Sequence, residues 1–300
     1  MNTFAQLLVY GLQLGSIYAL LAIGYTMVFG IIRMINMAHG DFLMMGSYAV
    51  FFIVSIFFAN IMIGPAVALL VIGTGSAITG FIGVGVERVA YKPLRNRPKI
   101  SSMIAAIGVS IFTQNLLRAL PFVGPNPRTF PKLMQDRLFF AGNVQLSVMR
   151  LVIIVLSIII MIILYFVVMK TKIGMQMRAV SCDKDASALM GININRVVSV
   201  TFFIGAALAA ISGAFYASSY PILLVTMGAT LGNKAFIAAV VGGIGDIRGA
   251  VLGGFIMGVV EIMISAAYSE IAYGFSFVVL VLILLLKPEG LLGKPMIEKV

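Results

Sequence analysis

The chain has 300 residues, 61% of them hydrophobic and only 10% charged, with a mean hydropathy of +1.10. A water-soluble domain carries roughly a quarter charged residues, so this composition excludes one and makes lipid the solvent for most of the chain. The net charge of +11 then belongs to loops and lipid headgroup contacts, not to a nucleic-acid surface, and the single cysteine, Cys182, excludes an intramolecular disulfide and offers no metal-site spacing.

A membrane crossing needs about 20 apolar residues. The opening "MNTFAQLLVYGLQLGSIYALLAIGYTMVFG" lacks a basic n-region and an A-x-A cleavage site, so it reads as a retained first span over 6–30. Further crossings are expected at 41–59, 62–86, 101–120, 148–169, 197–219, 226–243, 250–268 and 270–286. The seventh is short, Gly-interrupted and contains Lys234, so it reads as either a full span or a re-entrant half-span. The expected fold is an all-α polytopic membrane protein, one transmembrane domain over 1–300 with about eight to nine helices, some broken at glycine.

Lysine and arginine set the expected orientation. The first 32 residues contain none, whereas "ERVAYKPLRNRPK" holds Arg88, Lys92, Arg95, Arg97 and Lys99. A second basic loop runs from Lys170 to Arg196, and Lys287, Lys294 and Lys299 crowd the C-terminus. Two crossings separate the basic loops, so both fit the cytoplasmic side, with the N-terminus outside and the C-terminus inside. The segment 121–147 is then external, and its four prolines out of ten suit an extended surface loop better than a helix.

Small residues recur every fourth position at Gly11, Gly15 and Ala19, at Gly205, Ala209, Gly213 and Ala217, and at Gly254 and Gly258. Such stripes let helix backbones approach closely in lipid; they speak of a bundle and not of its cargo. The polar stretch "KTKIGMQMRAVSCDKDASALMGININR" (170–196) interrupts this pattern. Within it Cys182, Ala186, Leu189 and Met190 fall on one helical face, with Ser181 expected as cap, Asp183 and Asp185 at the positive dipole end and Gly191 at C′. The result is an expected helix of about nine residues, roughly 13 Å long, either resting on the membrane or docking a cytoplasmic partner.

Two Gly-broken segments share a theme: "NMAHGDFLMMGSY", with Asn36, His39, Gly40 and Asp41, and "GGIGDIRGAVLGG", with Gly245 and Asp246. Paired interruptions in two halves of a transporter point at the pathway, although an acidic residue opening an ordinary helix accounts for each as well. Glu261 lies inside the eighth crossing on the face of Gly254 and Gly258, where it is either a pathway group or a structural hydrogen-bonding group. Gln114, Asn115 and Arg118 close the fourth crossing, and Arg118 can snorkel outward. The chain holds no G-x-x-x-x-G-K-[ST], no H-E-x-x-H, no G-x-S-x-G with a plausible triad and no arginine ladder. It is expected to catalyse nothing itself.

"GSIYALLAIGYTMVFGIIRMINMAHGDFLMMGSY", "ERVAYKPLR", "RAVSCDKDASALMGIN", "KAFIAAVVGGIGDIRGAVLGG" and "KPEGLLGKP" together resemble the LivH-type permeases of branched-chain amino acid ABC transporters, in order and over nearly the whole chain. The resemblance implies a multi-pass subunit of a bacterial-type inner membrane, paired with a LivM-type permease, two cytoplasmic ABC ATPases and an external amino-acid-binding protein. ATP and Mg would sit on the ATPases, with no cofactor in this chain. It also implies that the loop matching Arg178 to Asn193 meets the ATPase, so that Arg178, Asp183, Ala186, Leu189, Met190 and Gly191 form the coupling helix. Relatives that import urea or short amides, or an ion-coupled secondary transporter, remain the alternatives, and Arg248 in the "GDIRG" turn has no role on this reading.

Overall fold

The computed structural model describes residues 3–34, 36–58, 63–95, 97–134, 136–141 and 144–293. Lys294 and Lys299, counted above as orientation markers, lie outside them. The described residues form eleven α-helices and four short strands. Seven helices are long and apolar enough to cross a membrane, and two more apolar helical stretches are shorter, Met227–Gly242 and Gly274–Leu286. The expected all-α membrane bundle is therefore what the chain forms, with the seventh crossing short as anticipated.

The column of the bundle is α1 (Thr3–Ile32), 89% buried along its most apolar stretch. At 30 residues it is about 45 Å long, more than a bilayer's apolar thickness. Its stripe of small residues packs on that of α10 (Ile247–Ala267): a Cβ placed on Gly15 would lie 2.8 Å from the Cα of Phe255, and one on Gly11 2.7 Å from the Cα of Val259. Nothing larger than hydrogen fits between these backbones. The other side of α1 meets α8 (Ile194–Ser219), where Ser212 Oγ donates to the Ile17 carbonyl at 2.9 Å.

Around this pair stand α2 (His39–Phe57), α3 (Pro65–Val86), α4 (Lys99–Ala119) and α5 (Val148–Lys170). The start of α2 is unusual. α1 runs on to Ile32, yet the His39 ring lies 4.5 Å from that of Tyr25, so α2 begins beside a point about 10 Å back along α1. α3 ends in a π-helical turn (Glu87–Tyr91) and a 3-10 turn (Lys92–Leu94), where Pro93 cannot continue the α-helical ladder.

The described residues of 121–147 are non-helical, as its prolines favour, and are anchored by two small antiparallel ribbons. β1 (Arg128–Thr129) pairs with β4 (Ile222–Leu223), and β2 (Leu138–Ala141) with β3 (Val144–Ser147). Gln6 of α1 exchanges two 2.8 Å hydrogen bonds with the Gln145 backbone. This end of the bundle, the ribbon end, thus holds the start of α1 and the end of α8.

The opposite, basic end gathers the helix ends near Arg33, Arg95 and Asn195. Here the 170–196 stretch departs from expectation: it forms two helices, α6 (Lys172–Cys182) and α7 (Lys184–Leu189), not one. Ser181 is not the cap, because its hydroxyl donates back to the Arg178 carbonyl at 2.8 Å. Asp183 takes extended backbone angles and caps α7, accepting from the amides of Asp185 and Ala186, both at 3.0 Å. Gly191, at φ +79°, ends the segment in the left-handed conformation expected of it. The chain then closes with α9 (Met227–Gly242), α10 and α11 (Ala272–Leu286), and Leu291 and Leu292 donate to the Val241 and Gly242 carbonyls at 2.9 Å.

Candidate functional site

Three regions concentrate polar groups in this apolar molecule. The first is the break before α2. Asn36 Oδ1 accepts from the Ala38 amide at 3.0 Å and from the Tyr91 hydroxyl at 2.5 Å, which ties the break to the π turn. His39, 1% exposed, lies between the Tyr25 and Phe42 rings. Asp41, also 1% exposed, accepts from Gln114 Nε2 of α4 at 3.0 Å. Gln114 was legible as a polar residue in a span, but its partner was not. Gly40 needs its missing side chain: a Cβ there would collide with the Gly228 carbonyl and lie 2.7 Å from the Cα of Gly232, where α9 begins.

The second Gly-Asp pair is built differently. Gly245 has open space around it but stands at φ +103°, a conformation side chains resist. Asp246 caps α10, accepting from the amides of Arg248 at 2.8 Å and Gly249 at 3.3 Å. Arg248, unexplained by sequence, donates to the Tyr165 hydroxyl of α5 and sits 5.0 Å over its ring. The likeness of the two Gly-Asp segments is thus one of sequence, and their side chains do different work.

The second region surrounds Glu261. Its Oε1 accepts from Lys234 Nζ at 2.6 Å, and its Oε2 from the Tyr18 hydroxyl at 2.9 Å. Both charged side chains are only 12% exposed. Three helices converge here: α1 supplies Tyr18, α9 supplies Lys234 and α10 supplies Glu261. The pair borders a cavity of about 400 Å³ whose rim at the ribbon end carries Tyr216 and Tyr220, ring centroids 4.8 Å apart. Of two further crevices, the one along α3–α5 is lined by apolar side chains, and the one along α5–α10 meets polar groups only at Tyr165 and Arg248. Sequence reasoning noted Lys234 and Glu261 separately and did not join them. The available signal was that a lysine inside lipid demands an acid, and an acid lay in the next crossing.

The third region is the basic end. Arg33 leaves α1 at φ +57°, rare for a residue with a side chain, and donates to the Ser181 carbonyl at 3.2 Å. Arg95 pairs with buried Glu87 and donates to Asn195 Oδ1 at 2.8 Å, while Ser199 Oγ donates to Glu87 at 2.9 Å. Arg178 turns back to the Val168 carbonyl. Partial burial, then the neighbouring Arg95 and Arg33 guanidinium groups, push the Lys184 ammonium below the ordinary lysine range, with Asp185 opposing them. Against this positive surround, Ala186 is exposed, Leu189 89% exposed and Met190 83% exposed, so α7 presents apolar side chains outward.

Residues 7–284 match the model of a family described as the branched-chain amino acid transport system / permease component. The chain is 40% identical over 307 residues to the high-affinity branched-chain amino acid transport system permease protein LivH of Salmonella typhimurium, covering 99% of this chain and 98% of that one. It is 38% identical to BraD, a permease protein of the same description from Pseudomonas aeruginosa, over the same shares. A probable branched-chain amino acid transport permease, LivH of Methanocaldococcus jannaschii, is 28% identical over 93% of this chain and 89% of that one. No solved structure matches. With its lipid-facing bundle and a match that spans nearly all of its length, the chain belongs to the family of branched-chain amino acid transport system permease components.

Proposed function

We propose that the chain is one of two membrane subunits of an ATP-driven importer of branched-chain amino acids, and lines the translocation path together with a LivM-type partner by alternating access. The observation that carries this reading is the 40% identity to permeases of that description over nearly the full length of both chains. Two cytoplasmic ABC ATPases supply ATP and Mg, and an external amino-acid-binding protein delivers the substrate. The basic end then faces the cytoplasm and α7 seats in the ATPase, for which its outward apolar residues and positive surround are suited. The N-terminus and the ribbon end face outside. The whole chain acts as one permease domain, in a bacterial-type inner membrane.

The test is uptake of labelled leucine by vesicles holding this chain with its partner permease, ATPases and binding protein. ATP-dependent accumulation, insensitive to a proton or sodium gradient, is the expected result. Accumulation driven by either gradient without ATP would favour a secondary transporter, and import of urea or acetamide with exclusion of leucine would move the substrate to amides.

A further inference from the structure

The Lys234–Glu261 pair is an expensive thing to place between membrane helices, and its surroundings give it a use. An ammonium and a carboxylate are held 2.6 Å apart beside a cavity of about 400 Å³, and the Tyr18 hydroxyl fixes the second carboxylate oxygen. The rest of the wall combines aliphatic side chains, Leu14, Leu224, Met227, Leu231 and Ile262, with the rings of Tyr216 and Tyr220 and the hydroxyls of Thr226, Thr230 and Ser265. A pair of opposite charges beside a cluster of aliphatic side chains, in a cavity of this size, matches one kind of solute: a small zwitterion with an apolar side chain. We propose that this cavity is a transit site for an aliphatic α-amino acid, with the ligand ammonium on Glu261 and the ligand carboxylate on Lys234. The proposal rests on the import reading above and gives it a place in the fold.

The electrostatics favour such an exchange. The resident pair satisfies itself while the site is empty, so no lone charge is left in a low-dielectric setting. An arriving zwitterion exchanges one internal contact for two charge-assisted contacts of the same polarity, leaving net charge unchanged. A solute with only one of the two charges leaves either Lys234 or Glu261 uncompensated, and a neutral amide offers neither partner full charge. The site therefore selects for both ends of an amino acid at once. Because the resident pair competes for each contact, the ligand is held weakly, as transit requires.

The cavity can be read directly through Thr230, an exposed residue of α9 at its wall. In a Cys182→Ser background, Thr230→Cys is the one thiol of the chain, and its modification rate by a water-soluble maleimide is followed in vesicles of the assembled transporter, resting and during ATP turnover. Leucine should slow labelling, while leucinamide and 4-methylpentanoate at the same concentration should not. In the neutral pair Lys234→Met with Glu261→Gln, which leaves no unpaired charge to disturb folding, half-protection by leucine should need at least about tenfold more ligand, the size of one lost charge-assisted contact. Co-purification of the partner subunits should be unchanged. Equal protection in wild type and the neutral pair, or by all three compounds, would overturn the proposal, as would a thiol that leucine never protects or that never reacts. Failure of the import reading is separate: wild-type vesicles would then not accumulate leucine, whatever happens at residue 230.

Discussion

Glu87 is 1% exposed, and Arg95 and the Ser199 hydroxyl hold its two oxygens where α3 meets the start of α8. Removing one member of such a pair strands the other, whereas replacing both with apolar groups need not destabilise. Glu87→Ala should lower stability by about 3 kcal/mol, and Glu87→Leu with Arg95→Met should recover most of that loss. Thermal unfolding of the detergent-solubilised protein, followed by size-exclusion, checks both; equal losses in the single and double variants would mean that the pair stabilises in its own right. Read from composition, Arg95 has only a topological meaning, since the π and 3-10 turns between Glu87 and Arg95 have no composition signature. For Glu261 the same limit applied. Considered alone, the carboxylate is expected to tolerate Glu261→Gln, because an amide keeps its shape and most of its hydrogen bonds. With Lys234 at 2.6 Å the substitution leaves an ammonium without its counter-charge, and that expectation no longer holds.

At the scale of elements, helix existence and the Gly-Asp breaks that open α2 and α10 were legible, and the break inside 170–196 was not. The nine apolar helices fall where runs of apolar residues predict them, because lipid admits little else for a backbone that must satisfy its own hydrogen bonds. The 170–196 stretch shows where the pattern misleads: Ser181 and Asp183 are both good cap residues, and only tertiary packing of α6 through buried Met177 and Val180 decides between them. That choice fixes what α7 offers. A helix of six residues has little stability of its own and depends on the Asp183 cap and on what it touches. Ala186 faces solvent, so Ala186→Arg should leave insertion and folding intact while placing a bulky charge where the ATPase is proposed to close on α7. We expect co-purified ATPase and ATP-driven leucine uptake to fall at least about tenfold, the consequence of an unpaired charge desolvated in an interface. Wild-type levels of both would return α7 to a helix lying on the membrane surface.

For the molecule as a whole, the distribution of lysine and arginine and the three-dimensional placement of the loops are independent observations that must agree. They agree in sorting the loops. Arg95 reaches Asn195 at the start of α8, and Arg33 reaches Ser181 at the end of α6, so the two basic loops share one end of the bundle. The pairing of β1 with β4 puts Arg128 at the other end, with Leu223 just beyond α8. The lysine and arginine bias sets the expected orientation, and orientation is what decides whether α7 can reach a cytoplasmic ATPase. The structure also says which positions can bear a probe. Arg95 and Asp183 are poor choices, since one belongs to a buried ion pair and the other caps α7, whereas Arg97, Ala188 and Pro127 are exposed. Each is changed to cysteine in a Cys182→Ser background, and intact cells are treated with a membrane-impermeant maleimide before and after permeabilisation. Position 127 should label in intact cells, and positions 97 and 188 only once the membrane is opened. Labelling of 97 and 188 in intact cells, with 127 protected, would invert the bundle and carry α7 away from any cytoplasmic ATPase. A split between 97 and 188 would instead require an even number of crossings to become odd between α3 and α7, which contradicts the shared end that Arg33, Arg95, Ser181 and Asn195 define.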